Sequence, residues 1–149
     1  MIMQLPPLGL GTVKFGRNTQ VKYPKFFELP SDTAIIDLLT NAQELGVNLI
    51  DTAPAYGSSE IRLGNLLPRV APRKQWIICG KTGENFTNNI SSFNFTRDAI
   101  IASVHASLSN LKTDYLDILL IHSNGADLEI IEQFDIFATL DYLKQDGQI

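Results

Sequence analysis

Four short apolar runs rich in branched residues punctuate the chain: Leu8 to Val13 (LGLGTV), Val47 to Ala53 (VNLIDTA), Trp76 to Lys81 (WIICGK) and Tyr115 to Ser123 (YLDILLIHS). Longer stretches of helical period separate them. This alternation predicts βα units that build a parallel sheet. The runs are nearly continuous in hydrophobicity, which predicts strands covered on both faces. The first helical stretch starts at Ser31 as N-cap, carries Ile35, Leu38, Leu39, Ala42 and Leu45 on one face, and stops at Gly46. Ser58 or Ser59 opens a second helix with Leu63, Leu66 and Leu67, which Pro68 is expected to end. Thr96 opens a third, with Ile100, Val104, Leu108 and Leu111 as its buried stripe, and a fourth spans about Glu132 to Lys144. The Asn-rich segment GENFTNNISSFNF after the third run reads as a polar loop of the kind that carries function.

Side chains alternate along a strand, so parity assigns faces. Val47, Leu49 and Asp51 share one, as do Ile77, Cys79 and Lys81, and Ile118, Leu120 and His122. Each set is expected to place two apolar residues in a core and one ionisable residue at the strand's C-terminal end. In parallel α/β folds that end is the ligand-binding face. Tyr56 lies in the loop after Asp51, where it can lean over the same mouth.

The chemistry open to this quartet follows from ordinary pKa values. Tyrosine ionises near 10, and an adjacent Lys81 ammonium is expected to lower that value. Asp51 would keep the lysine charged, and His122 could donate a hydrogen bond to a carbonyl oxygen gaining negative charge. A proton donor beside an oxyanion site suits carbonyl reduction. The missing hydride implies a nicotinamide cofactor.

Composition narrows the partners. The chain has 149 residues, 44% hydrophobic and 19% charged, with a net charge of −4 and no basic block, which argues against nucleic acid or an anionic membrane. The start, MIMQLPPLGLGT, lacks a basic region followed by a long apolar segment, so neither a signal peptide nor a membrane span is expected. A single cysteine, Cys79, among apolar neighbours reads as a small core residue of a cytoplasmic protein. Glu60 reads as a favourable charge at a helix N-terminus, and His105 as structural or exposed.

The segments LGLGT, NLIDTAPAYGSSEIRLG, IICGKTG and LDILLIHS occur in the order and at about the spacing of strand-end motifs in the aldo-keto reductases. The chain resembles that family over nearly its whole length. The resemblance implies an α/β fold, a partial (β/α)8 TIM barrel of four parallel strand-helix units, and NADPH-dependent reduction of an aldehyde or ketone. It assigns Tyr56 as general acid, Lys81 as its partner, Asp51 as the residue paired to that lysine, and His122 as the group orienting the carbonyl. Gly11, Thr12 and Asp51 are the implied cofactor contacts. Residues 1–149 correspond to the family's N-terminal half, stopping at LKQDGQI before a fifth strand. A half-barrel exposes strand edges and an apolar face, so a homo-oligomer or completion by a second half is expected. The alternative is a non-catalytic truncated barrel that binds a partner.

Overall fold

The computed structural model describes residues 4–149. Each of the four apolar runs forms a strand: β1 (Gly9–Gly11), β2 (Leu49–Asp51), β3 (Ile77–Thr82) and β6 (Ile118–Ile121). They form one parallel sheet in the order β1-β2-β3-β6. Gly11 pairs with Asp51, Asp51 with Cys79, and Lys81 with Leu120. After β1 comes the single turn α1 (Val13–Gly16), and the longer helices are α2 (Asp32–Glu44), α3 (Ser59–Val70) and α4 (Arg97–Leu111).

One sheet face carries the core. Ile50 and Ile78 are buried beneath the helices with Phe15, Ile35, Leu39, Leu63, Leu66, Trp76 and Leu116. The opposite face, which holds Leu49, Asp51, Ile77, Cys79, Lys81, Ile118 and Leu120, is open. Leu120 is 44% exposed, and only Cys79 among the apolar members of this set is buried. The expected coverage on both faces, with each set's apolar pair in a core, is therefore corrected. The parity is right, but the shared face is the open one.

Local chemistry explains most boundaries. Ser31 is extended, and its Oγ accepts from Ala34 N at 3.1 Å, capping α2. Gly46 ends that helix at φ 76°, a left-handed position that costs a residue without Cβ little. Leu38 and Leu45, assigned to its buried face, are exposed. Pro68 lies inside α3, which runs on to Val70. The expected stop is displaced because a proline one turn from a helix end removes a single bond and leaves the end near.

The segment read as a loop is a hairpin, β4 (Glu84–Thr87) against β5 (Ile90–Phe93). Its two linking residues, Asn88 and Asn89, both have positive φ, as a two-residue turn matching strand twist requires. The expected fourth helix is two, α5 (Asp127–Gln133) and α6 (Ile136–Gln145), separated by extended Phe134. Ile130 and Ile136 are both buried, and a six-residue spacing cannot put both on one face of a continuous helix. Glu60 is 1% exposed against α4 rather than a surface charge. Among the described residues no helix is long and apolar enough to cross a membrane.

Candidate active site

The site is assembled by neighbouring strand ends. Asp51 ends β2, Lys81 lies near the end of β3, and His122 follows β6, its N–H donating to Thr82 O at 2.7 Å. Tyr56 closes a 3₁₀ turn at Pro54–Tyr56. That turn is seated on α1 by backbone contact: Ser58 N donates to Gly16 O at 3.3 Å, and a Cβ on Gly57, whose φ is 62°, would meet Gly16 O at 2.2 Å. Only glycine fits this approach, so the turn holds the phenol in place.

The four side chains converge. Lys81 Nζ donates to Asp51 Oδ2 at 2.6 Å and to Thr52 O at 3.2 Å. The Tyr56 hydroxyl is directed at Asp51 Oδ1 across a long 3.5 Å, and Lys81 Nζ lies 4.9 Å from the centre of the phenol ring. Tyr56 and His122 meet edge to face, with ring centres 6.1 Å apart. Beside them opens a cleft of about 680 Å³ whose lining includes Arg17, Tyr56, Glu84, Phe93 and His122.

Beneath the carboxylate lies a chain of buried hydroxyls. Thr12 Oγ1 donates to Asp51 O at 2.8 Å and accepts from Ser59 Oγ at 2.9 Å, and Thr52 Oγ1 lies 3.3 Å from the same Ser59 Oγ. This chain ties β1, β2 and α3 together below the site. Thr12 is fully buried, and its hydroxyl supports the Asp51 backbone. Gly11, by contrast, is exposed beside Asp51, and a Cβ placed there would meet nothing within 4 Å.

Electrostatics modify the expected proton chemistry. Burial pushes the Tyr56 phenol above its ordinary value of 10.0; the Lys81 ammonium pulls it down, and Asp51 pushes it up. The expected lowering by Lys81 is present but outweighed, so the phenol holds its proton at neutral pH. Burial also lowers His122, Glu84 pulls it up, Lys81 pushes it down, Asp51 pulls it up and Arg17 pushes it down. Burial raises the Cys79 thiol, which keeps it protonated and a poor nucleophile.

Two residues escaped the sequence reading. Glu84 Oε2 lies 3.1 Å from His122 Nδ1, and Glu84 Oε1 is 3.7 Å from Arg17 Nη1. The Arg17 guanidinium donates to the carbonyls of Ala55, Thr19 and Gln20 and stacks 3.5 Å over Phe86. The available signal was an acid three residues beyond Lys81 at the mouth of the site. Its target, His122, follows a different strand.

The model of the Aldo/keto reductase family matches residues 7–149. The chain belongs to this family. An aldo-keto reductase barrel is (β/α)8, and the four parallel strand-helix units seen here form a partial one. A solved structure assigned to the aldo-keto reductases, from Pseudomonas aeruginosa, is 46% identical with a TM-score of 0.86, over 97% of this chain and 53% of that one. D-arabinose 1-dehydrogenase of Saccharomyces cerevisiae is 33% identical over 80% of this chain and 35% of its own length. The NADH-specific methylglyoxal reductase of Escherichia coli is 34% identical over 76% of this chain and 38% of its own length. This aldo-keto reductase chain thus spans about a third to a half of the relatives it matches.

Proposed function

We propose that this chain carries the proton-donating face of a nicotinamide-dependent carbonyl reductase acting on an aldehyde or ketone. The observation that carries the reading is the 2.6 Å Lys81–Asp51 pair set against the protonated Tyr56 phenol at a strand-end cleft. Gly11 fits a flat cofactor ring, because bare backbone leaves open space beside Asp51. When bound, the nicotinamide supplies a hydride to the carbonyl carbon. Tyr56 gives its proton to the carbonyl oxygen, Lys81 steadies the phenolate left behind, and Asp51 keeps Lys81 charged and aimed. His122 orients the oxygen from the far side of the phenol. NADPH is the cofactor we assign; the NADH specificity of the E. coli relative makes NADH the comparison.

The test is oxidation of NADPH or NADH by a reactive aldehyde, comparing the chain with Tyr56→Phe. Loss of the acid is expected to reduce turnover by about 10²-fold or more. Equal rates in the two proteins reject Tyr56 as the donor, and no turnover with either cofactor rejects catalysis by this chain alone.

We further propose that the open face is covered in use by a second copy or a complementary half. β1 and β6 lie at the two edges of the sheet, and Leu120 of β6 stands exposed on the open face. A stable, well-folded monomer in light scattering speaks against the second copy. A cytoplasmic location, consistent with one buried unpaired cysteine, is checked by cell fractionation.

A further inference from the structure

The Glu84–His122 contact lies outside the quartet and bears on which nitrogen of the imidazole faces the reaction. His122 Nδ1 is buried and has no hydrogen-bond partner: its 3.1 Å approach to Glu84 Oε2 is bent away from a good N–H···O line. The carboxylate's other oxygen accepts from Ser91 Oγ at 2.6 Å and faces the Arg17 guanidinium at 3.7 Å. Arg17 is itself 9% exposed and fixed by three backbone carbonyls, so donors hold Glu84 in place from behind. An imidazole lone pair on Nδ1, an atom shielded from solvent, would lie 3.1 Å from a carboxylate oxygen with no proton between them, a repulsive arrangement. A proton on Nδ1 turns that repulsion into attraction. In a neutral ring, Nε2 is then an acceptor.

We propose that Glu84 is the positioning residue of His122: backed by Arg17 and Ser91, its carboxylate fixes the imidazole proton on Nδ1, so that Nε2 donates to a carbonyl oxygen only when the ring takes a second proton. Glu84 acts through His122 and touches no reacting atom. The charges facing His122 are Glu84 from β4, Asp51 from β2, Lys81 from β3 and Arg17 from the segment after α1. Two anions and two cations oppose one another, and burial tips the ring toward neutrality. Removing the Glu84 charge leaves two cations against one anion, so the second proton binds less well. The inference rests on carbonyl reduction as the reaction His122 serves. In that reaction, its donor role strengthens as the medium becomes more acidic.

Proton and nitrogen magnetic resonance of the histidine rings tests this without substrate or cofactor. The chain has 2 histidines, and exposed His105 on α4 serves as the internal reference. The expected result is a neutral His122 ring protonated at Nδ1, and a titration midpoint that falls by about one unit, a tenfold loss of proton affinity, in Glu84→Gln while His105 stays put. A neutral wild-type ring protonated at Nε2 overturns the proposal, and this reading needs no variant should Glu84→Gln fail to fold. Equal midpoints in the two proteins overturn it as well. Either failure leaves the Tyr56→Phe assay to judge carbonyl reduction on its own.

Discussion

Replacing Glu60 by glutamine should stabilise the chain at neutral pH and leave it almost unchanged in acid. Glu60 sits in the first turn of α3, 1% exposed; Asn110 Nδ2 donates to its Oε2 at 3.3 Å, and its Oε1 has no partner. Three effects compete. A helix N-terminus favours the carboxylate by about 0.3–1 kcal/mol, and a neutral donor such as Asn110 contributes on the order of 1 kcal/mol. Withdrawing a carboxylate from water costs several kcal/mol. Burial wins, and the carboxyl is pushed above its ordinary 4.5 despite the pull of Ser107 and Asn110. Between the unfolded value and this raised one, the folded chain binds more protons than the unfolded chain. Stability therefore falls as pH rises, by up to about 1.4 kcal/mol per unit. Glu60→Gln removes that titration and keeps the shape. In urea unfolding at pH 4, 5, 6 and 7, the variant's advantage should open above pH 4.5 and then level off once the folded carboxyl has ionised. The burial-lowered His122 destabilises both proteins as pH falls below 6.5, so it cancels in the difference. A difference that is flat from pH 4 to 7 would refute the reasoning.

Lys81→Met should cut aldehyde reduction by about 10²-fold or more, because the group that pulls the Tyr56 phenol down is lost while burial and Asp51 still push it up; a pH profile of turnover checks this, and an unchanged profile contradicts it. Gly64→Ala should cost roughly 1–3 kcal/mol in urea unfolding, since the new Cβ would stand 2.2 Å from Asn110 O and force α3 away from α4.

The strands were legible because a parallel strand of an α/β fold is a run of branched apolar residues: β1, β2 and β6 fall inside their runs, and β3 passes the end of its run by one residue, to Thr82. Parity then put Asp51 and Lys81 on one face, and the 2.6 Å contact between their side chains follows from adjacent strands in register. The β4–β5 hairpin was hidden because only Phe86, Ile90 and Phe93 among its strand residues are apolar, too few to read as alternation; the Asn88–Asn89 turn was its clearest local mark. Burial of Glu60 was equally hidden. A first-turn acid looks the same in sequence whether it faces water or the next helix. The direction of the Tyr56 shift failed for a related reason: the sequence names the charges around the phenol but not how much solvent it has lost.

The quartet needs no distant part of the sheet to hold its shape. Asp51 and Lys81 come from neighbouring strands, Thr12 braces Asp51 from the strand on its other side, and His122 hangs from the strand beside Lys81. Each of these contacts crosses one strand boundary, and the Tyr56–His122 ring contact spans two, so these four strands carry the geometry. Energetics differ from geometry here, because the strength of these contacts depends on what lies over the open face. With Asp51 36% exposed, its 2.6 Å pair with Lys81 is partly screened by solvent. A cover over Leu120 and Asp51 would exclude water, lower the local dielectric constant and strengthen every charge interaction in the site at once. The same cover would deepen the burial that keeps the Tyr56 proton in place. The bare sheet therefore fixes where the Tyr56 phenol stands, and a cover of the kind proposed would set how strongly the neighbouring charges act on it.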